Sequence, residues 1–343
     1  MKAAFRYKRI YFERDALNYP LGREILQRLQ NDGHVIEFLQ SHNRVTGIPG
    51  ESPREAFFQG KNTLVVGVRR SLDFAGCKPS AHYQLPLVTG CEGICEYCYL
   101  NTRLGKKPYT RIYVNLDEIL QQAQKYITGR TPEVTVFEAA STSDPVAVEP
   151  YTGILARAIE FFAGQELGYL RFVTKFPYVH SLLGLDHRGH TRIRFSINSD
   201  KVIGRYEHRT PGLDQRLEGL AAVLHAGYPA GVIIAPVILE QGWQKDYLDL
   251  LQQMAGIIPS SFYPHIEMEV ISHRFTRRAR SNIVEVFPET GLPMEETADR
   301  KFKYGQFGYG KFVYSDEKLT EMKDFFGANV NKLFPGSRIN YII

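Results

Sequence analysis

The sequence predicts an α/β fold built on a parallel sheet that curves into a barrel or part of one. Three observations support this prediction. From residue 84 onward, six short apolar runs alternate with segments of helical periodicity, and the crossovers between the runs are short. One of these segments, Pro211–Ala226, has leucines at helical spacing, a proline near its first turn and Gly227 just past its end. Polar residues follow several of the apolar runs, as they do where strands end at a functional edge.

The elements of this predicted sheet follow one another along the middle of the chain. The predicted strands are Gln84–Thr89, Glu133–Ala140, Leu170–Phe176, Thr191–Asn198, Gly231–Ile238 and Tyr263–Ile271. The predicted helices are Asp117–Ile127, Tyr151–Ala163, Pro177–Leu185, Pro211–Ala226 and Trp243–Ala255. Alternation of this kind is typical of parallel strands joined by crossover helices.

The two ends of the chain have a different character. Residues 1–80 are expected to form an N-terminal appendage with a helix that begins near Pro20 and a buried strand at Thr63–Val68. Residues 81–271 hold the predicted barrel. Residues 272–343 are expected to contain a strand-like run at Ile283–Phe287, a basic hairpin with a Gly-aromatic turn, and a C-terminal helix over Asp316–Phe326.

Composition excludes several classes of protein. Apolar residues make up 43% of the chain and charged residues 23%, which is ordinary for a globular protein with a sizeable core. No run approaches the ~18 apolar residues of a membrane span, and the N-terminal stretch lacks a secretory core. We therefore expect a cytoplasmic protein with no membrane association. A net charge of +5 is compatible with nucleic acid binding but does not establish it.

Three of the four cysteines lie within eight residues, in the run LPLVTGCEGICEYCYL at 85–100. Cys91, Cys95 and Cys98 have the spacing C-x3-C-x2-C. Thiolates are soft ligands for iron–sulfur clusters, zinc and copper(I), and a cluster held by only three cysteines keeps one iron open for chemistry. The alternative is a structural zinc completed by Cys77 or His82, although structural zinc sites usually have paired C-x2-C knuckles far apart in sequence.

The polar residues that follow the predicted strands are expected to meet at one mouth of the barrel, together with the cysteine loop. The candidates for binding a small cosubstrate there are Ser143, Lys175, Ser196, Asn198 and Ala235. Lys175 can pair with a carboxylate, and the hydroxyl and amide groups can hydrogen-bond ribose or amino-acid groups. For any single residue, an ordinary polar strand end is an equally good interpretation.

Two basic stretches after residue 271 predict contact with nucleic acid. One places four arginines within seven residues from Arg274 onward, with Phe275 among them, and the other is the basic and aromatic run over residues 300–312. Basic side chains neutralise phosphates and aromatic rings stack on bases. The candidate DNA contacts are Arg274, Arg277, Lys303, Tyr304 and Lys311. The alternative is a solvated basic hairpin.

The C-x3-C-x2-C loop resembles the signature of the radical S-adenosylmethionine superfamily. Together with the run FEAASTSDP at 137–145 and the basic hairpin, the chain resembles the spore photoproduct lyase family over essentially its full length. This resemblance implies a partial (β/α)6 TIM-like barrel with an N-terminal appendage and a C-terminal basic β-hairpin and helix. It also implies a 4Fe-4S cluster on Cys91, Cys95 and Cys98, S-adenosyl-L-methionine as cosubstrate, and repair of the methylene-bridged thymine dimer in bacterial spore DNA.

The resemblance further implies a radical mechanism with one departure in this chain. In the family, a 5′-deoxyadenosyl radical takes a hydrogen from C6 of the dimer, the methylene bond breaks, and a cysteine after the second strand supplies a hydrogen atom to the remaining thymine radical. Ser141 stands at that position. Because an O–H bond is far stronger than an S–H bond, we expect an impaired variant with slow or diverted quenching. The sequence leaves open whether Ser141 is natural or engineered.

Tyr97 and Tyr99 match family positions implicated in relaying the radical back to the cosubstrate, and packing around the cluster is the alternative. The resemblance also implies a reductant protein such as flavodoxin or ferredoxin and a location in the spore cytoplasm. Since a barrel with its own appendages requires no partner, we expect a monomer.

Two other functions compete. One is a radical enzyme that modifies RNA bases. The other is a non-catalytic nucleic-acid-binding protein with structural zinc, which metal and sulfide analysis distinguishes from the first two. A light-driven photolyase is disfavoured because the sequence has no flavin-binding signature.

Overall fold

The computed structural model describes residues 6–40, 45–304, 308 and 310–343. Its strands are β1 (Arg9–Glu13), β2 (Ile36–Leu39), β3 (Thr63–Gly67), β4 (Gly76–Cys77), β5 (Ala81–Gln84), β6 (Val88–Thr89), β7 (Ile94–Cys95), β8 (Thr110–Tyr113), β9 (Thr135–Glu138), β10 (Gly168–Thr174), β11 (Thr191–Ile197), β12 (Glu207–His208), β13 (Ala230–Val237), β14 (Ile266–Ser272), β15 (Arg300–Tyr304), β16 (Gly310–Tyr314) and β17 (Arg338–Ile342).

The helices are interleaved with these strands. They are α1 (Pro20–Asn31), α2 (Pro53–Lys61), α3 (Leu100–Arg103), α4 (Leu116–Arg130), α5 (Glu149–Thr152), α6 (Ile154–Ala163), α7 (Asp200–Tyr206), α8 (Leu213–His225), α9 (Trp243–Ile257), α10 (Arg277–Val286) and α11 (Asp316–Leu333). Short 3-10 turns occur at Arg14–Asn18, Pro145–Val148, His180–Leu182 and Ser260–His265. Within the described part of the chain, no helix is both long and apolar enough to span a membrane.

The chain divides into two compact units. The first contains Met1–Glu92 and Leu104–Ile193, and the second contains Gly93–Arg103 and Arg194–Ile343. Residues 93–103 of the cysteine loop therefore pack with the C-terminal half of the chain, although they lie early in the sequence. The predicted division at residues 80 and 271 stays a prediction.

The first unit contains two sets of strands. One set has the order β2-β1-β3-β8-β6, with all pairs parallel except β6 against β8. The other has the order β10-β9-β5-β4, with β9 parallel to both neighbours and β4 antiparallel to β5. All residues of β3 are buried, as expected for a continuous apolar run in a parallel sheet. Helix α6 packs on β9, where the rings of Phe137 and Phe162 lie 5.4 Å apart.

The second unit contains strands in the order β17-β14-β13-β11, with β14 parallel to β13 and β17. Helices α9 and α11 pack through aromatic rings, with Trp243 against Phe325 at 5.0 Å and Tyr247 against Phe326 at 5.5 Å. Two antiparallel pairs complete this unit. One joins β7 of the cysteine loop to β12, and the other is the hairpin of β15 and β16.

Several predicted elements are corrected by the structure. Ile283–Phe287 is not a strand, because it lies in and just after α10, where Ile283 and Phe287 are buried one turn apart and Val284 is exposed. Thr276 caps this helix by accepting a hydrogen bond from the amide of Ala279 at 3.0 Å. The helix predicted over Pro177–Leu185 is only the turn His180–Leu182. The strand predicted over Gln84–Thr89 is divided between β5 and β6.

Candidate active site

In the first unit, the residue before Cys91 is hydrogen-bonded to the segment that follows β9. The amide of Gly90 donates to the carbonyl of Thr142 at 2.8 Å, and Gly90 forms a parallel bridge with Ser143. On the other side, the ammonium of Lys61, which is 1% exposed, donates to the carbonyl of Cys91 at 2.9 Å. Two hydrogen bonds therefore hold the backbone around Cys91, one through Gly90 and one through the Cys91 carbonyl. Ser141 is the residue before Thr142, the partner of Gly90.

The segment 141–144 also makes contact with the end of β10. The Asp144 carboxylate accepts a hydrogen bond from the amide of Lys175 at 2.9 Å, and the Ser143 hydroxyl donates to the carbonyl of Ala139 at 3.3 Å. Burial raises the pKa of Asp144 to about 6, against the opposing effect of the hydrogen bonds from the Lys175 amide and the Thr174 hydroxyl. Ser141, Ser143 and Lys175 thus lie in segments that follow two neighbouring strands, β9 and β10, and Asp144 links these segments.

In the second unit, the rest of the cysteine loop forms a tight turn. The amide of Cys98 donates to the carbonyl of Cys95 at 3.2 Å, and the side-chain amide of Asn101 donates to the same carbonyl at 3.0 Å. Cys95 is buried and Cys98 is partly buried. Amide donors thus fix the backbone of the turn around its two cysteines.

The two tyrosines of this loop lie in different environments. The Tyr97 hydroxyl donates a short hydrogen bond to the Glu207 carboxylate, and Glu207 forms a 2.7 Å ion pair with Arg216. Although the Tyr97 ring is only partly buried, its hydroxyl is enclosed, and this desolvation, followed by the Glu207 charge, raises the pKa of Tyr97 well above its ordinary value. Tyr99 is 51% exposed. The two tyrosines of the loop therefore differ in burial and in contacts.

The remaining predicted cosubstrate residues lie at the ends of β11 and β13. The carbonyl of Ser196 accepts a hydrogen bond from Arg216 at 3.1 Å. Asn198 is fully buried, and its side-chain amide donates to Pro236 while its oxygen accepts from Tyr247, each at 2.9 Å. Ala235 is partly buried beside the irregular register of β13 and β14. Asn198 thus joins the two strand ends, and its contact with a cosubstrate stays a prediction.

The cysteines provide a donor set of three thiolates within eight residues. None of the four cysteines forms a disulfide. Among the described residues, no group of three or more His, Cys, Asp and Glu side chains converges on a point suitable for one metal ion. Ligands of an iron–sulfur cluster bind different irons, so they need no such convergence. Three thiolates are chemically suited to hold such a cluster.

The hairpin of the second unit carries three of the five predicted DNA contacts, Lys303, Tyr304 and Lys311, whereas Arg274 lies between β14 and α10 and Arg277 begins α10. Lys303 and Lys311 lie directly opposite each other across the β15–β16 pair. Desolvation, followed by the charges of Arg274 and Lys303, lowers the pKa of Lys311. Tyr304 is 73% exposed. Like charges directly opposite each other destabilise a hairpin, and an anion bound against them would offset this repulsion.

Arg277 is the predicted DNA contact with a carboxylate partner already in place. Its guanidinium donates two hydrogen bonds to Glu296, at 3.1 and 2.9 Å, and this pair is exposed to solvent. An exposed pair of this kind contributes little to stability. The pair with Glu296 uses two of the five N–H donors of the guanidinium.

A comparison with protein-family models finds a match over residues 5–343 to the model described as spore photoproduct lyase. The chain belongs to the spore photoproduct lyase family. It is 51% identical over 337 residues to a spore photoproduct lyase of Clostridium acetobutylicum, covering 98% of this chain and 99% of the relative. It is 43% identical over 341 residues to that of Bacillus subtilis, covering 99% of each.

Solved spore photoproduct lyase structures have the same fold. A mutant with bound AdoMet and dinucleoside spore photoproduct has a TM-score of 0.95 and 46% identity, covering 99% of this chain and 100% of that one. A second structure, complexed with dinucleoside spore photoproduct, gives the same values. These matches confirm the predicted α/β fold of the partial-barrel class and the predicted family.

Four residues that lie close to the candidate site residues were not predicted from the sequence. They are Lys61, Asp144, Glu207 and Arg216. Asp144 alone had a signal, because it directly follows the Ser141–Ser143 run. The others come from α2, β12 and α8, and nothing in their local sequence shows that the fold brings them to the cysteine loop.

Proposed function

We propose that this chain repairs spore photoproduct in DNA, converting the methylene-bridged thymine dimer to two thymines with a 4Fe-4S cluster and S-adenosyl-L-methionine. The observation that carries the proposal is the hydrogen bond from the amide of Gly90, the residue before Cys91, to the carbonyl of Thr142, the residue after Ser141. The chain's membership of the spore photoproduct lyase family over residues 5–343 supports it.

Each predicted residue has a role in this proposal. Cys91, Cys95 and Cys98 would hold the cluster, which when bound supplies the electron for reductive cleavage of the cosubstrate. The cosubstrate would be bound by Ser143, Lys175, Ser196, Asn198 and Ala235. The closeness of Ser143 and Lys175, through Asp144, supports two members of this set.

The lesion would lie near Ser141, with Tyr97 and Tyr99 in the return of the radical to the cosubstrate. The lesion must leave the duplex to reach the site, and unstacking costs a few kcal/mol, less at a damaged step. The grouped charges of Arg274, Lys303 and Lys311 favour a phosphate backbone at the hairpin. Tyr304, exposed beside them, can stack on a displaced base, and Arg277 would add a further contact.

A reductant protein such as flavodoxin or ferredoxin would deliver the electron to the cluster. We propose that the chain works as a monomer in the cytoplasm of the bacterial spore. The reaction can be assayed without the reductant protein, because a chemical reductant replaces it.

The test is anaerobic reconstitution with iron and sulfide, reduction, and incubation with S-adenosylmethionine and a dinucleotide that carries the lesion. We expect 5′-deoxyadenosine together with breakdown of the lesion, and neither in a Cys95→Ala variant. Cleavage of the cosubstrate with an untouched lesion would contradict the substrate and keep the cofactors. Zinc without sulfide in the purified protein would contradict both.

A further inference from the structure

In the second unit, a buried ion pair lies behind the turn between Cys95 and Cys98. Arg216 on α8 and Glu207 on β12 pair at 2.7 Å, and the side chains of both are fully buried. Glu207 also lies opposite Cys95 in the β7–β12 pair, so its backbone and its side chain both contact the loop. A buried ion pair is weak evidence for stability, because desolvation of the two charges offsets their attraction. Its presence here calls for another explanation.

Arg216 is held in one orientation by the backbone around it. Its guanidinium donates to the carbonyls of Pro211 at 2.9 Å and Ser196 at 3.1 Å, and to the hydroxyl of Thr210 at 2.9 Å. Thr210 in turn donates to the carbonyl of Glu207 at 2.7 Å. The planar guanidinium therefore fixes the Glu207 carboxylate relative to the end of β11 and the start of α8.

The remaining oxygen of Glu207 reaches the cysteine turn itself. It accepts the hydrogen bond of Tyr97, which lies between Cys95 and Cys98. We propose that Glu207 and Arg216 are positioning residues, which hold Tyr97 and, through it, the Cys95–Cys98 turn in its cluster-binding conformation before the cluster is present. A ligand loop that is already ordered loses less conformational entropy when the cluster binds.

A second contact to the same loop provides a matched control. His208, the neighbour of Glu207 on β12, contacts Glu96 at 2.7 Å, but its side chain is 44% exposed. Glu96 is also hydrogen-bonded by Thr290. Loss of the His208 contact leaves Glu96 with a partner, so its removal should loosen the loop far less than loss of the Tyr97–Glu207 bond.

The first measurement is amide hydrogen exchange over residues 94–99 in the cluster-free protein. Loss of a hydrogen bond to a charged group should raise exchange about tenfold in Glu207→Gln and in Tyr97→Phe, and less than about twofold in His208→Gln. Exchange in β13 and β14 should stay unchanged. Glu207→Gln leaves the Arg216 charge buried without a counter-charge, and this variant can fail to fold. In that case Tyr97→Phe, which keeps the ion pair, decides the test.

The double variant separates positioning from general support. If Glu207 acts through Tyr97, then adding Glu207→Gln to the Tyr97→Phe variant should raise the exchange rate of residues 94–99 by less than about twofold more. A further tenfold increase there, or equal loosening by His208→Gln, would overturn the inference. Unchanged exchange in both single variants would do the same.

The last measurement is iron release to a chelator from the reconstituted protein, which we expect to be about tenfold faster in Tyr97→Phe and Glu207→Gln. Release at the rate of the unchanged chain would contradict the role in cluster binding. This step rests on the proposed cluster site. If the chain takes up no cluster, that proposal fails, and the exchange data on the cluster-free protein still decide the positioning role.

Discussion

The amide of Gly90 and the carbonyl of Thr142 are joined by a 2.8 Å hydrogen bond, which connects the backbone before Cys91 to the backbone after Ser141. Gly90 has a φ of +81°, and a Cβ there would lie 2.2 Å from the carbonyl oxygen of Tyr109. This close approach requires a glycine. The backbone at Gly90 and the Ser141 segment are thus joined directly, and a change at either affects the other.

We expect Gly90→Ala to destabilise the cluster-free protein by about 2–4 kcal/mol, because it combines an unfavourable φ with a steric clash. Iron content after reconstitution should fall as the loop shifts. The matched control is Gly105→Ala, since Gly105 has a φ of +76° but a Cβ there would meet no atom of the described residues within 4 Å. By urea unfolding, this control should lose about 1–2 kcal/mol of unfolding free energy, and it should keep its full iron content. Equal losses in the two variants would contradict the role of the close approach.

Ser141→Cys should raise the yield of thymine per 5′-deoxyadenosine by about tenfold, which corresponds to a barrier lower by about 1.4 kcal/mol. The physical reason is that a thiol gives up a hydrogen atom to a carbon radical far more readily than a hydroxyl does. Cleavage of the cosubstrate itself should change little. Chromatography of the products from the dinucleotide lesion measures both quantities, and Ser141→Ala should match the unchanged chain.

Cys77→Ser is the control that tests whether another thiol of the chain already supplies the hydrogen atom. Cys77 lies in β4, partly buried, and is the one cysteine outside the C-x3-C-x2-C motif. If the unchanged chain releases thymine efficiently and Cys77→Ser abolishes this, then a thiol other than the one expected at 141 already supplies the hydrogen. The predicted impairment would then be wrong.

Regular elements with a clear period were predictable from the sequence, as α8 and α9 illustrate. The error at Ile283–Phe287 arose because five apolar and acidic residues in a row fit both periods, and only burial of Ile283 and Phe287 one turn apart reveals the helix. Strand β17 pairs with β14 some seventy residues earlier, with Glu267 beside Arg338. Such distant pairing leaves no local signal.

For the site, motifs made of consecutive residues could be predicted from the sequence, but contacts between residues distant in sequence could not. The cysteine loop and Ser141–Asp144 are continuous stretches, so their residue types could be read directly. The Glu207–Arg216 pair and Lys61 reach the loop from elements distant in sequence, and a buried charge looks like a surface charge in sequence. The pairing of Arg277 with Glu296 could not be predicted either, because the two residues lie in separate segments of the chain.

Asp144→Asn should change how stability depends on pH. Burial raises the pKa of Asp144 from 3.8 to about 6, so between these values the folded state keeps a proton that the unfolded state has released. Stability from this group therefore falls as pH rises from about 4 to about 6. Asparagine carries no charge, so the variant should gain up to about 3 kcal/mol relative to the unchanged chain at pH 8 and almost nothing at pH 4.

Urea unfolding of the cluster-free protein across this pH range measures the difference. Glu149→Gln is the matched variant, because burial raises the pKa of Glu149 from 4.5 to about 7, and its gain should develop at correspondingly higher pH. Parallel stability curves for Asp144→Asn and the unchanged chain would show that the carboxyl is already ionised at low pH, contrary to this prediction.

Lys311→Gln should weaken binding of lesion DNA while leaving the free protein at least as stable. Lys311 lies opposite Lys303 and near Arg274, so its removal relieves repulsion worth a few tenths of a kcal/mol in the free hairpin. If its ammonium contacts a phosphate, the slope of log affinity against log salt should fall by about 0.9. Fluorescence anisotropy with a lesion duplex at several salt concentrations gives this slope. Lys332→Gln, an exposed change on α11, controls for net charge, and an equal loss of slope there would mean that no specific phosphate contact exists at Lys311.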